Sequence, residues 1–200
     1  METPFHTLIY KVRPDIKAVV HAHSPGLVSF SVARQVPDTS ISPGLFQICG
    51  KVGYAAYSVP GTTSLGANIA AEFTKGYNAV IMENHGAVTG GTDLAEAFNR
   101  FETLENISQT LINCKAIGEP HYLDLGKTMG FEAGQPLQMG HPEKTEKTGE
   151  ILLKCEKIIE MAYRADRQKV INGGFNTLSV RNGNNGFLFT PPNIPLWQLH

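Results

Sequence analysis

Ala18-Val19-Val20-His21-Ala22-His23-Ser24-Pro25 opens on an apolar run, carries two histidines one residue apart and stops at a proline. Residues i and i+2 of an extended strand point to one face, so His21 and His23 can offer ring nitrogens to a single ion. A second apolar run, Ala79-Val80-Ile81-Met82, leads into Glu83-Asn84-His85-Gly86 and supplies a third imidazole at the end of another strand. Three imidazoles with a fourth position open are the donor set of a catalytic zinc site, because zinc favours four tetrahedral ligands and keeps one for water or substrate. A His-x-His pair alone more often satisfies core or loop hydrogen bonds. The third histidine, at the kind of strand-to-loop corner where α/β folds place ligands, turns the pair into a ligand set.

Outward from these runs, apolar spacing of three and four through Phe5, Leu8, Ile9 and Val12 predicts a helix over 2–12, with Pro4 in its first turn and Pro14 beyond its end. A strand is expected over 17–22, a helix over 25–34, a Pro-, Ser- and Gly-rich loop over 37–44 and a strand over 54–59. The Thr62-Thr63-Ser64 hydroxyls cap a helix over 65–75 that Gly76 ends. A strand follows over 79–83, then a long helix over 93–117 through Leu94, Ala97, Phe101, Leu104, Ile107 and Leu111. Residues 126–149 lose all periodicity and read as a linker or surface loop. A helix over 151–165 precedes two strands, 177–181 and 187–189, joined by Asn182-Gly183-Asn184-Asn185-Gly186, a segment suited to the positive φ angles of a tight hairpin. Helices alternating with strands imply an α/β/α layered domain, and the hairpin adds antiparallel character to its sheet.

A chain of 200 residues suits one domain. Its 17 basic and 18 acidic residues give a net charge of −1, without the clustered Lys and Arg that phosphate backbones require, so nucleic acid is not an expected partner. No apolar stretch approaches the roughly 20 residues needed to cross a bilayer, and no secretory leader is evident, so a cytoplasmic protein is expected. Cys49, Cys114 and Cys155 are odd in number and widely spaced, as buried free thiols in a reducing compartment would be, with Cys49 alone in a loop-like context. Neither a Cys-x-x-Cys pair nor a Gly-x-Gly-x-x-Gly nucleotide fingerprint is present.

Glu2-Thr3-Pro4, the run Val19-Val20-His21-Ala22-His23-Ser24-Pro25 and Asn84-His85-Gly86, in this order, give a chain that resembles the class II aldolase/adducin family. That family includes fuculose-phosphate and rhamnulose-phosphate aldolases, ribulose-phosphate 4-epimerases and dehydratases of methionine salvage. Gly61-Thr62 and the long helix after Gly90-Gly91 also fall in the family's order, so the resemblance covers most of residues 1–117. It implies a three-layer α/β/α sandwich with a mixed, largely antiparallel central sheet. It further implies that His21, His23 and His85 hold a divalent ion, usually Zn2+, with Glu2 beside it as the acid/base. Such an ion acts as a Lewis acid on the hydroxyl and carbonyl oxygens of a sugar phosphate, stabilising the enediolate left by retro-aldol cleavage. Imidazole donors also suit Mn, Fe, Co and Ni. Without the resemblance, Glu2 would read as an ordinary charge in the first turn of a helix, favoured by the macrodipole.

The family usually begins with a helix and a glycine-rich hairpin that binds the substrate phosphate. Here residues 150–200 resemble that opening, so the halves stand in swapped order: 1–125 is the metal-site part, 126–149 the connection and 150–200 the phosphate-loop segment. Gly174, Asn176, Thr177 and Thr190 are the matching phosphate contacts, although Pro192-Asn193 replaces a usual Ser/Thr-Gly, and a plain hairpin turn is the alternative reading. A circular permutant and a piece of a tandem-domain protein both fit this order. The expected activity is an aldolase-type lyase on a short sugar phosphate, in a homo-oligomer, commonly a tetramer. The alternatives are an epimerase or dehydratase on the same ion and a non-catalytic adducin-like assembly domain. A tyrosine that some aldolases carry in the loop after the His-x-His helix is not evident in 37–44, which argues against fuculose-type chemistry.

Overall fold

The computed structural model describes residues 2–126, 148–171, 176–183, 186–191 and 199. They fall into two compact units, within 1–128 and within 129–200, where chain length alone suggests one domain. In the first unit the order is α1 (Thr3–Val12), β1 (Ala18–Ala22), α2 (Pro25–Val32), a 3-10 turn (Thr39–Ile41), α3 (Pro43–Cys49), β2 (Gly53–Ala55), α4 (Thr63–Thr74), β3 (Ala79–Met82), β4 (Gly86–Gly91) and α5 (Leu94–Lys115). The strands form one sheet in the order β1-β4-β3-β2. β4 runs antiparallel to both its neighbours, whereas β2 and β3 are parallel. The expected mixed, largely antiparallel sheet is therefore what the chain builds.

Each face of this sheet is covered, which makes three layers. Phe5 and Ile9 of α1 and Leu65, Ile69 and Phe73 of α4 pack with Val80, Met82 and Val88 on one side. Leu27 of α2, Cys49 of α3 and Phe101, Leu104 and Ile107 of α5 pack with Ala79, Ile81 and Ala87 on the other. Successive β3 residues thus serve opposite cores, and a strand buried on both faces reads as the continuous apolar run seen in the sequence.

Three readings need correction. β4 is absent from the sequence reading, because Gly86-Ala87-Val88-Thr89-Gly90-Gly91 is poor in the β-branched and aromatic residues that mark strands. Its glycines answer to close packing instead: a Cβ on Gly90 would lie 2.6 Å from Ile16, and one on Gly91 2.6 Å from the Ala97 nitrogen. Secondly, the expected loop 37–44 contains the 3-10 turn and runs into α3, so Cys49 ends a helix, 1 % exposed, rather than standing in a loop. Thirdly, the strand expected over 54–59 stops at Ala55, and the Tyr57 N–H is taken by the Glu83 carboxylate at 2.9 Å.

Helix ends follow their capping chemistry. Thr62 Oγ1 accepts the Leu65 N–H, and Gly76 at φ 95° follows the end of α4. Asp93 accepts the Glu96 N–H at 2.7 Å, while the Glu96 carboxylate returns to the Thr92 N–H at 2.6 Å.

In the second unit α6 (Gly149–Arg167), capped by Thr148, accompanies a hairpin of β5 (Ser179–Asn182) and β6 (Gly186–Phe189). Gly183 has the positive φ, 65°, expected of its turn. Most of the anticipated connection 126–149 lies outside the described residues.

Candidate metal centre

β1 carries His21 in register with Val88 of β4, and His23 follows one residue beyond the strand, on the way into α2. His85 ends a three-residue turn, Glu83-Asn84-His85, that joins β3 to β4, with Asn84 in the left-handed region at φ 52°. The corner is therefore a tight antiparallel hairpin turn. Because β4 lies between β1 and β3, its first residues sit beside both histidine-bearing ends. Gly86 is required there, since a Cβ would meet the Ala22 carbonyl at 2.7 Å and the His23 ring at 3.0 Å.

Glu2 is the N-cap residue of α1, but its side chain makes no cap hydrogen bond. It turns to the histidines instead, with Oε2 2.7 Å from His21 Nε2 and Oε1 3.5 Å from His85 Nε2. His21 Nε2 stands 3.1 Å from His23 Nε2. One ligand atom from each of Glu2, His21, His23 and His85 lies within 4.8 Å of every other. The four sequence-identified residues thus converge, although they come from three separate stretches of chain.

The proton inventory of this cluster decides its chemistry. His21 Nδ1 lies 2.8 Å from the Ala87 carbonyl, which can only accept, so Nδ1 carries the hydrogen and Nε2 presents a lone pair inward. Burial lowers the His21 pKa, against opposing contributions from the Ala87 carbonyl and Glu2. Burial likewise lowers that of His85, against Glu2. Both shifts favour the neutral ring, the form in which imidazole binds a metal. Glu2 Oε2 is shielded from solvent, and its 2.7 Å approach to His21 lacks hydrogen-bond geometry, leaving it without a donor. Glu2 Oε2 and the His21 Nε2 lone pair face one another without a hydrogen bond, with ring nitrogens of His23 and His85 beside them, so the donor set fits a divalent ion. The Ala87 carbonyl that orients His21 is the kind of outer partner such ligands use, and it was invisible in the sequence because β4 was.

The sequence profile described as "Class II Aldolase and Adducin N-terminal domain" matches residues 1–112, more than half of the chain. The chain belongs to this family. Among curated relatives, a 5-deoxy-D-ribulose 1-phosphate aldolase from Bacillus thuringiensis is 35% identical over 124 residues, covering 61% of this chain and 56% of that protein. A 3-oxo-tetronate 4-phosphate decarboxylase from Pectobacterium atrosepticum is 33% identical over 115 residues, covering 55% and 52%. A solved L-fuculose 1-phosphate aldolase superposes with a TM-score of 0.58 at 31% identity, covering 64% of this chain and 59% of that one. The chain spans little more than half the length of the curated relatives it matches.

The four residues expected at a phosphate lie outside the metal-centre unit. Gly174 is outside the described residues. Asn176 and Thr177 precede β5, half-buried and exposed respectively. Thr190 is 1 % exposed, with its hydroxyl accepting the Leu178 N–H at 3.1 Å and its own N–H donating to the Leu178 carbonyl at 3.0 Å. It closes the base of the hairpin, which accounts for its burial without a ligand.

Two side chains that support the centre went unnoticed in the sequence. Glu105 of α5 accepts hydrogen bonds from the Ser24 hydroxyl at 2.6 Å and from the Gly26 and Leu27 N–H groups at 2.9 Å each, which ties down the segment next to His23. Glu83 holds the turn that ends in His85. Neither stands out from the many charged residues of its element until the tertiary partners are known.

Proposed function

We propose that the chain carries the metal and acid/base centre of an aldolase-type lyase acting on a short sugar phosphate. His21, His23 and His85 would hold a divalent ion, zinc by preference of the nitrogen donors, and Glu2 would be the acid/base. The observation that carries this reading is the convergence of four lone-pair donors within 4.8 Å, two of them with protonation disfavoured by burial.

When bound, such an ion supplies Lewis acidity to the oxygens of a hydroxy-carbonyl substrate. The residues divide the remaining work. His21 is locked by Ala87 into the tautomer that faces the ion. The Glu2 carboxylate lies against the cluster yet stays 32% exposed, so it can take a proton from a substrate hydroxyl or return one to the carbon left after cleavage. The relatives' names include both aldol cleavage and decarboxylation. Each breaks a carbon–carbon bond one position from a carbonyl and leaves the electron pair on the adjacent carbon, a demand the same donor set meets. Asn176 and Thr177 are the described residues carried forward as phosphate contacts.

The test is elemental analysis of the purified protein beside a His21→Ala/His23→Ala variant, followed by an aldol-cleavage screen over ketose phosphates. About one zinc per chain, lost in the variant, is expected. Glu2→Gln is expected to keep most of the metal and lose turnover. Full activity in Glu2→Gln would remove the acid/base assignment, and a wild type that stays metal-free after reconstitution would favour the adducin-like reading. Light scattering on the same preparation checks the proposed homo-oligomer.

A further inference from the structure

The turn that presents His85 is gripped from outside the cluster. The Glu83 N–H donates to the Ala55 carbonyl at 3.0 Å, and the Asn84 N–H donates to the Ser31 carbonyl at 3.3 Å. The Glu83 carboxylate, 15% exposed, accepts the Tyr57 N–H on Oε2 at 2.9 Å and forms an ion pair through Oε1 with Arg34 Nε, 2.8 Å away. Backbone and side chain of one residue are thus tied to the end of β2, to the segment after it and to the residues just past α2. His85 lies two residues further on, its own N–H closing on the Met82 carbonyl at 3.1 Å.

Arg34 occupies a position that glycine usually takes. It stands at φ 55° just past α2, with its N–H on the Ser31 carbonyl and the Gln35 N–H on the Phe30 carbonyl, the closing pattern of a Schellman motif. Glycine enters the left-handed region without a Cβ penalty, so an arginine there is a strained choice that calls for a reason in its side chain. The ion pair with Glu83 is what glycine could not supply.

We propose that the Arg34–Glu83 pair positions the metal centre, by holding the β3–β4 turn so that the His85 ring stays aimed at His21, His23 and Glu2. This inference rests on the metal reading above. Neither side chain is among the converging donors, so both act through the turn. The Arg34 side chain is 72% exposed, and an exposed pair adds little to global stability. Its effect therefore belongs in metal affinity rather than in unfolding.

Cobalt titration of the full chain, read by visible absorption that reports coordination geometry, tests this with thermal unfolding in parallel. Arg34→Gly is expected to melt at or above the wild type, because the backbone strain is relieved, yet to bind cobalt about tenfold more weakly with an altered spectrum. Glu83→Gln should weaken binding comparably, and the double variant no further. Wild-type affinity and spectrum in Arg34→Gly would overturn the positioning role. Failure of the folded wild type itself to bind cobalt would instead overturn the metal reading and this inference with it.

Discussion

Glu105→Ala should destabilise the first unit more than any ordinary surface substitution on α5. The carboxylate closes the amino end of a neighbouring helix: it accepts from the Ser24 hydroxyl, the Gly26 and Leu27 N–H groups and the Gln109 side chain, at 2.6 to 2.9 Å. Ser24, the N-cap residue, makes no side-chain cap of its own, so nothing local replaces these bonds. Leu27 is fully buried and Gly26 is buried, so water reaches their N–H groups poorly once the carboxylate is gone. Hydrogen bonds to a charged acceptor contribute about 1.5–3 kcal/mol each, and unsatisfied buried donors are penalised by about 1–3 kcal/mol. Two main-chain donors, partly relieved by solvent entering the truncated space, give a loss of roughly 2–4 kcal/mol. At about 4 °C per kcal/mol for a unit of this size, the melting temperature should fall by roughly 8–16 °C. Urea titration followed by far-UV circular dichroism, with Glu105→Gln beside it, measures this. Glu105→Gln keeps one acceptor oxygen and should fall between alanine and wild type. A Glu105→Ala loss within experimental error of zero would show that water replaces the carboxylate and that this contact does not anchor α2.

Burial pushes the Cys49 thiol up to about 12, with Arg100 opposing only in part. Native protein in mildly alkaline buffer should leave Cys49 unalkylated while the half-buried Cys114 and Cys155 react, and all three should label in denaturant. Rapid native labelling of Cys49, read by peptide mass spectrometry, would contradict the placement of α3. Burial would raise the Glu96 carboxyl, but hydrogen bonds from the Thr92 hydroxyl and N–H and from Arg100 outweigh it and hold the group down at about 2. A lowered folded-state pKa stabilises above the ordinary value of 4.5 and loses that contribution as pH falls towards 2. Glu96→Gln should therefore flatten the acid limb of the stability profile in that window; an unchanged limb would assign it to other carboxylates.

Apolar spacing located α1, α5 and α6, because each turns one face of a helix inward, and the proline, glycine and capping hydroxyls visible in the chain marked α2 and α4. β1 and β3 were legible for a related reason: strands covered on both faces are apolar throughout. The His-x-His pair and His85 named the donor chemistry, and the order of motifs named the family. What stayed hidden was whatever depended on a neighbour. β4 is written in glycine because Ile16 and α5 press against it, and a glycine-rich stretch has no strand signature of its own. α3 hid in a Pro-Ser-Gly segment because its short apolar face has meaning only against α5.

Imidazole and carboxylate identities are local facts, so the sequence by itself determined which atoms could bind an ion. Their convergence is not local. Only the tertiary structure decided that β4 lies between β1 and β3, which brings residues 2, 21, 23 and 85 within 4.8 Å and turns one ring nitrogen of His21 to a main-chain carbonyl. The same holds for the anchors Glu83 and Glu105. A carboxylate becomes a cap or a clasp only when another segment brings an N–H within about 3 Å, and strand order, rather than residue type, settles that distance.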